Sequence, residues 1–334
     1  MTRFLITGGN GFIGTNLVQS LRQYVQAPYS LSILDLDSPK IELAENETWF
    51  SVDLLDTSSV SAIFEKVTPE IVIHLAALTS TEPEYVLEDY SVNTKGSEII
   101  FDHCEKHGIH FLVHTSTQFV NQAPGFPSSD FDYAPHTIYG ESKVISEQSL
   151  VNSNYHFNWC IIRPTNIWGP WHLRYPYEFW KVLRDGKYFH PGSKSVIRSY
   201  GYVGNICWQI MELIKRRNEP VIKKNVFYVG DAPMNMYQWA NVFSVAITKK
   251  NVRVVPGVFV YLLALLGTVL RTIKIKFPIT LSRYKSMTTD NPAPMDKTLN
   301  VLGKAPHSLE EGVQITVDWL IPFWDNLTKQ SNKL

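Results

Sequence analysis

The chain has 334 residues and a mass of 38.2 kDa, which at roughly 100–200 residues per domain makes about two lobes. Hydrophobic residues make up 44%, charged residues 19% and aromatics 13%, with 31 Lys and Arg against 31 Asp and Glu, so disorder through low hydrophobicity and high charge is excluded. A neutral balance, with no run of Lys and Arg interleaved with aromatics, argues against nucleic acid as a partner and for a small ligand.

The chain opens with Met1-Thr2-Arg3 running straight into Phe4-Leu5-Ile6-Thr7-Gly8, with no basic-then-apolar leader, which reads as a cytoplasmic start. Short apolar runs then alternate with longer amphipathic stretches. Strands are predicted at Phe4–Ile6, Leu31–Leu34, Trp49–Val52, Ile71–His74, Phe111–His114 and Trp159–Ile162. Helices are predicted between them at Phe12–Tyr24, Ser58–Val67, Glu84–Glu105 and Thr137–Leu150. This is a βαβ series, and it predicts an α/β fold: a doubly wound parallel sheet (Rossmann-like) with a smaller C-terminal substrate lobe. Cys104, Cys160 and Cys207 are odd in number and never paired as Cys-x-x-Cys, so they read as buried thiols.

After Arg163-Pro164 the texture changes to Pro- and aromatic-rich, with helices predicted at Tyr177–Arg184, Asn205–Lys215 and Met236–Ala246. Residues 1–165 are assigned to a dinucleotide-binding lobe to which about 196–230 returns, leaving 166–195 and 231–334 for the substrate lobe. The 17 residues Val254–Leu270 carry no charge, the lower limit of the roughly 17–25 that cross a bilayer. Pro256, Gly257 and Gly267 weaken a spanning reading, so a buried or surface-lying helix is expected, with a weak membrane contact as the alternative.

Gly8-Gly9-Asn10-Gly11-Phe12-Ile13-Gly14 follows the first predicted strand and opens the first predicted helix, the setting a phosphate-binding loop requires. Gly8, Gly11 and Gly14 let backbone approach a pyrophosphate, while the helix start at Phe12 and Ile13 offers free N–H groups and positive partial charge. Asp35 lies 21 residues beyond Gly14, near the roughly 20 expected of an acid that accepts from the adenosine ribose hydroxyls. No Arg or Lys follows it until Lys40, which favours NAD over a 2′-phosphorylated cofactor; capping or loop support is the competing role for Asp35.

With these belong Asp53-Leu54, His74-Leu75-Ala76-Ala77, Asn93-Thr94-Lys95-Gly96, Ser116-Thr117, Tyr139-Gly140-Glu141-Ser142-Lys143 and Arg163-Pro164-Thr165-Asn166-Ile167-Trp168-Gly169-Pro170. In this order they resemble the extended short-chain dehydrogenase/reductase family, in particular its NAD-dependent sugar-nucleotide epimerases, dehydratases and reductases. The resemblance implies that Asp53 and Leu54 hold the adenine, that Ala76 and Ala77 pass along the pyrophosphate and ribose, and that Asn93 supports the active-site wall. It implies Thr117, Tyr139 and Lys143 as the catalytic set, Thr79, Gln118, Asn166 and Arg198 as substrate contacts, and a homodimer packed through Glu84–Glu105 and Thr137–Leu150.

Those residue types suit hydride transfer, since oxidising a secondary alcohol requires removal of its hydroxyl proton and a phenolate can take it if its pKa falls below roughly 10. Lys143, four residues after Tyr139, lies one helical turn on and is expected to lower that pKa, while Thr117 donates to the same oxygen. Gln118-Phe119 stand where dehydratases have an acidic pair, so a 4-epimerase or keto-sugar reductase is favoured over a 4,6-dehydratase. Pro278-Ile279-Thr280-Leu281, Asp296-Lys297 and Leu302-Gly303 also resemble the 3β-hydroxysteroid dehydrogenase branch, the alternative enzyme; a non-catalytic NAD-binding scaffold is the further alternative. His103, His107, His110 and His114 diverge across a helix end and a strand, so no metal site is read there.

Overall fold

A computed structural model describes residues 1–82, 84–121, 126–192, 195–275, 277 and 279–331, the side chains of 330 and 331 excepted. Pro278 therefore lies outside the described residues. In chain order the elements begin with β1 (Thr2–Thr7), α1 (Phe12–Tyr24), β2 (Tyr29–Asp35), β3 (Glu47–Ser51), α2 (Thr57–Val67), β4 (Ile71–His74), α3 (Lys95–Lys106), β5 (Phe111–Thr115) and α4 (Ile138–Asn152). They continue with β6 (Asn158–Pro164), α5 (Phe179–Arg184), α6 (Val203–Lys215), β7 (Asn225–Val229), α7 (Met236–Thr248), α8 (Gly257–Thr272), α9 (Leu281–Thr288), α10 (Asp296–Leu302) and α11 (Leu309–Ser331), with short two-stranded pairings between.

The chain divides into two compact units. The first holds Met1–Ile167, Gly201–Asp231 and Pro294–Pro306. Its seven strands run β7-β6-β5-β4-β1-β2-β3, every neighbouring pair parallel. Strands covered on both faces are apolar throughout, and Leu5, Ile6, Ile33, Leu34, Val72, Ile73, Leu112 and Val113 are accordingly buried. The order reverses at β1, with β2 on one side and β4 on the other, so a crevice opens between the carboxyl ends of β1 and β4.

Two sequence expectations change here. The helix expected at Glu84–Glu105 divides into a 3₁₀ turn at Leu87–Tyr90 and α3, because the Asp89 carboxylate accepts from Val86 N–H at 2.9 Å and closes a local turn. Residues 294–306, expected in the C-terminal lobe, pack with the sheet instead: Thr298 Oγ1 donates to Tyr228 O on β7 at 2.6 Å, and Lys297 Nζ meets Asp130 at 2.9 Å.

The second unit holds Trp168–Tyr200, Ala232–Ala293 and His307–Leu334. Trp239 on α7 is its centre, stacked on Tyr200 at 4.2 Å between ring centroids and on Phe179 at 4.9 Å, with Phe243 at 5.2 Å. Trp168 and Trp180 are fully buried in the same cluster. The charge-free segment forms a short strand, Arg253–Val255, followed by α8, which is neither buried nor a span: among the described residues no helix is long and apolar enough to cross a membrane.

Candidate active site

The glycine turn connects β1 to α1. Gly8 has φ +70°, and a Cβ there would lie 2.6 Å from Ala76 N at the end of β4, so only glycine lets the two strand ends approach. A Cβ at Gly14 would meet Gly8 O and come within 2.5 Å of Gly9 Cα, backbone that cannot step aside. Gly11 is the N-cap of α1 and has no side chain to offer the first amides of the helix. This is the cradle a pyrophosphate needs.

Asp35 ends β2 beside that turn. Its Oδ2 accepts from Asn10 N at 2.8 Å and its Oδ1 from Asp37 N at 3.0 Å, so the carboxylate braces the glycine loop. Asp53 follows β3, accepting from Leu55 N at 2.9 Å, with Leu54 buried beneath it. Ala76 and Ala77 follow β4, where Ala76 N donates to Thr7 Oγ1 at 3.3 Å. Asn93 is fully buried: its Oδ1 accepts from Leu78 N at 2.8 Å while its Nδ2 donates to Leu78 O and to Ser142 Oγ, both at 2.9 Å. One amide thereby ties the wall after Ala77 to α4.

Thr117 lies just past β5 and caps a 3₁₀ turn by accepting from Phe119 N at 3.3 Å. Its hydroxyl also hydrogen-bonds the phenol of Tyr139, which stands in the first turn of α4 because Thr137 caps that helix through Gly140 N at 2.9 Å. Rings of Tyr90 and Phe119 flank it at 6.3 and 6.4 Å. Lys143 is one turn further, only 2% exposed.

The electrostatics differ from the sequence expectation. Burial, opposed by the Thr117 hydrogen bond, pushes Tyr139 up to about 12 rather than below its ordinary value, and burial pushes Lys143 down to about 8 in spite of Glu147. Desolvation is the largest cause at both residues, because each charged form loses its hydration on burial. The Lys143 ammonium is thus an internal cost: against an unfolded value of 10.5 the depression amounts to about 3 kcal/mol at pH 7. That cost is fully present below about 8 and fades as pH rises toward 10.5. Lys143→Met is expected to raise stability at pH 7 by about 2–3 kcal/mol in urea unfolding, with the gain shrinking by pH 10; a variant less stable than wild type at pH 7 would contradict this.

Beneath these groups lies a polar layer that sequence reading missed. His74 and His114, paired in register on β4 and β5, stack at 5.5 Å. His74 Nδ1 meets Thr7 Oγ1 at 2.6 Å and its Nε2 meets Ser97 Oγ at 2.9 Å, while His114 Nε2 meets Ser146 Oγ at 3.0 Å. Burial and then the Lys143 charge lower both, His74 to about 3, so the rings stay neutral. Two buried strands each ending in His was the available signal. Deeper still, Arg163 and Glu147 form a fully buried bidentate pair at 2.9 and 2.6 Å. Burial opposes the Arg163 charge, yet the Glu147 hydrogen bonds hold its pKa above the ordinary value.

Of the expected substrate contacts, Gln118 and Asn166 are brought together, Nε2 donating to Oδ1 at 3.3 Å beside Thr117, while Thr79 is exposed on the loop after β4. Arg198 belongs to the second unit, where its Nη2 donates to Ser286 O and Thr289 O at the end of α9. Asn121 also has a structural use, accepting from the Tyr228 hydroxyl and from Arg163 Nη1 at 3.5 Å.

A glycine cradle at the sheet's reversal point and a Thr–Tyr–Lys cluster past β5 define an extended short-chain dehydrogenase/reductase. The chain belongs to the 3-beta hydroxysteroid dehydrogenase/isomerase family, whose model matches residues 5–251. It is 25% identical over 262 residues, covering 72% of this chain and 75% of the relative, to the 3 beta-hydroxysteroid dehydrogenase/Delta 5-->4-isomerase of Monkeypox virus. Among solved structures, the UDP-glucose 4-epimerase of Thermotoga maritima with UDP-glucose superposes with a TM-score of 0.73 at 22% identity, covering 97% of this chain and 100% of that one. The UDP-glucose 4-epimerase of Thermus thermophilus in complex with NAD superposes with a TM-score of 0.69 at 22% identity, covering 96% and 99%.

Proposed function

We propose that this protein is an NAD-dependent oxidoreductase acting at a secondary alcohol or keto carbon of a nucleotide-linked hexose, as a 4-epimerase or keto-sugar reductase rather than a 4,6-dehydratase. The observation that carries the reading is the Thr117–Tyr139 hydrogen bond past β5, one helical turn from the buried Lys143. Bound NAD would supply the hydride acceptor. Thr117 orients the substrate hydroxyl, and the Tyr139 phenolate, stabilised by the Lys143 ammonium, takes the hydroxyl proton and becomes the neutral phenol as the hydride leaves the carbinol carbon. Gly8, Gly11 and Gly14 with the start of α1 would hold the pyrophosphate, Asp35 the adenosine ribose, and Asp53 and Leu54 the adenine edge.

The substrate class rests on the Gln118–Asn166 amide pair, which follows Thr117 in the chain and is polar in the way a hydroxyl-rich ligand requires, and on the absence of an acid at 118 or 119. The family match and the viral relative favour a second reading, a 3β-hydroxysteroid as the alcohol. Assaying the purified protein with NAD against UDP-, dTDP- and GDP-hexoses and a 3β-hydroxysteroid separates them. Turnover of hexose alone is the expected result, and turnover of steroid alone reverses the substrate assignment.

Gly14→Ala tests the cofactor site independently of substrate. The added methyl displaces the Gly8–Gly9 backbone, and NAD affinity in calorimetric titration is expected to fall by about tenfold or more. An unchanged affinity would place the dinucleotide elsewhere. A homodimer through α3 and α4 and a cytoplasmic location complete the proposal, and sedimentation showing only monomer at micromolar concentration would remove the dimer.

A further inference from the structure

We infer that α8 and its basic flanks form a docking surface for an anionic lipid bilayer, lying in the plane of the interface without crossing it. The helix reads Gly-Val-Phe-Val-Tyr-Leu-Leu-Ala-Leu-Leu-Gly-Thr-Val-Leu-Arg-Thr, apolar on every side, and such a helix is ordinarily enclosed by its own protein. Here only Val260, Ala264 and Gly267 are buried, a stripe one residue wide made largely of small side chains. That stripe faces the segment leading into α9: Gly267 has no room for a Cβ against Ile279 O, Leu281 N donates to Thr268 Oγ1 at 2.9 Å, and Tyr261 meets Tyr284 at 5.5 Å. The bulky residues point the other way. Val258 is 65% exposed, Phe259 59%, Leu262 56%, Leu266 51% and Val269 61%, and Ile273 continues the face at 62%. A contiguous apolar patch of this kind marks an interaction surface.

Charge selects the partner. From Asp231 to Asp290 the chain contains no other acidic residue, yet it carries eight Lys and Arg. Lys249, Lys250 and Arg253 precede α8, Arg271 and Lys274 end it, and Arg283 and Lys285 lie on α9; all are exposed. Large apolar side chains rimmed by cations, with no acid among them, match a surface of acyl chains under anionic headgroups. A second copy of this face is the poorer occupant, because self-pairing sets basic flanks against each other with no carboxylate from this segment to meet them. The inference does not depend on which alcohol the site oxidises.

Flotation of the full-length protein with vesicles of phosphatidylcholine alone and of phosphatidylcholine mixed with phosphatidylglycerol tests it. Wild type is expected to rise with the mixed vesicles about tenfold more than with the neutral ones, less so as salt is added. The double variant Leu262→Asp/Leu266→Asp is expected to lose about tenfold of that binding with an unchanged thermal transition, both residues being exposed. Arg271→Glu/Lys274→Glu is expected to remove the preference for phosphatidylglycerol. Wild type that floats with neither vesicle, or equal binding by the leucine variant, overturns the inference. So does a concentration-dependent dimer that the leucine variant abolishes while vesicles capture neither protein, since that outcome assigns the face to a second copy.

Discussion

Tyr139→Phe is expected to lower kcat by about a thousandfold while leaving the fold and NAD affinity intact, because the change removes one oxygen and with it the proton carrier. The phenol stands at the end of a defined chain of supports. Thr137 sets the first turn of α4, Thr117 bonds the oxygen, Tyr90 and Phe119 hold the ring, and Asn93 fastens α4 to the opposite wall. Phenylalanine keeps the packing and loses only the chemistry. The pH dependence follows from the buried phenol. With Tyr139 at about 12, the base form is scarce near neutrality, so alcohol oxidation is expected to rise with pH, while ketone reduction, which needs the phenol that stays protonated throughout this range, is expected to stay nearly flat. Steady-state rates in both directions across pH 6–9 check this; a Phe variant within tenfold of wild type would place the acid–base group elsewhere.

Glu147→Ala carries the largest expected loss of stability, about 3–5 kcal/mol in urea unfolding, because it leaves the Arg163 guanidinium buried and uncompensated. Arg163 also donates to Asp130 O at 2.6 Å and to the Tyr228 hydroxyl at 3.2 Å, and Tyr133 donates to Glu147 at 2.9 Å. The pair therefore anchors residues 130–133, part of the connection that runs from Thr117 to α4. Replacing both partners with apolar residues, Glu147→Leu with Arg163→Met, is expected to be less harmful than either single change, since no charge is then left inside. A Glu147→Ala penalty under about 1 kcal/mol would contradict the paired, desolvated geometry.

The strands were readable because a parallel sheet covered on both faces writes each strand as an unbroken apolar run, and Ile71–His74 is found at its expected limits. The glycine turn was readable because steric need for glycine is local: Gly8 and Gly14 are excluded from other residues by backbone within the same turn or the adjacent strand. What was not readable depended on partners distant in sequence. Asn93 lies within an apolar pattern that continues through Glu84–Glu105, but its amide bonds Leu78 and Ser142, and no periodicity encodes those partners. Nothing in the sequence pairs Glu147 with Arg163, and their burial arises only where Arg163 on β6 meets Glu147 on α4. Sequence likewise showed Val254–Leu270 as charge-free without showing that its small residues, Ala264 and Gly267, would take the inner side. The acidity of Tyr139 was misjudged because spacing shows which charge is near and not how much water both groups lose.

The most direct test of a hydride-transfer site is the fate of a single deuterium. A nucleotide-hexose labelled at the carbinol carbon is incubated with the purified protein and NAD, and the cofactor and the hexose are recovered and weighed by mass spectrometry. Deuterium is expected from wild type either in reduced cofactor or, for an epimerase, back on the inverted carbinol carbon of the hexose, and in neither place from Tyr139→Phe. Reduced cofactor or inverted hexose without the label, or NAD that binds at the glycine turn and stays oxidised with every hexose and with the 3β-hydroxysteroid while no hexose is inverted, would contradict hydride transfer.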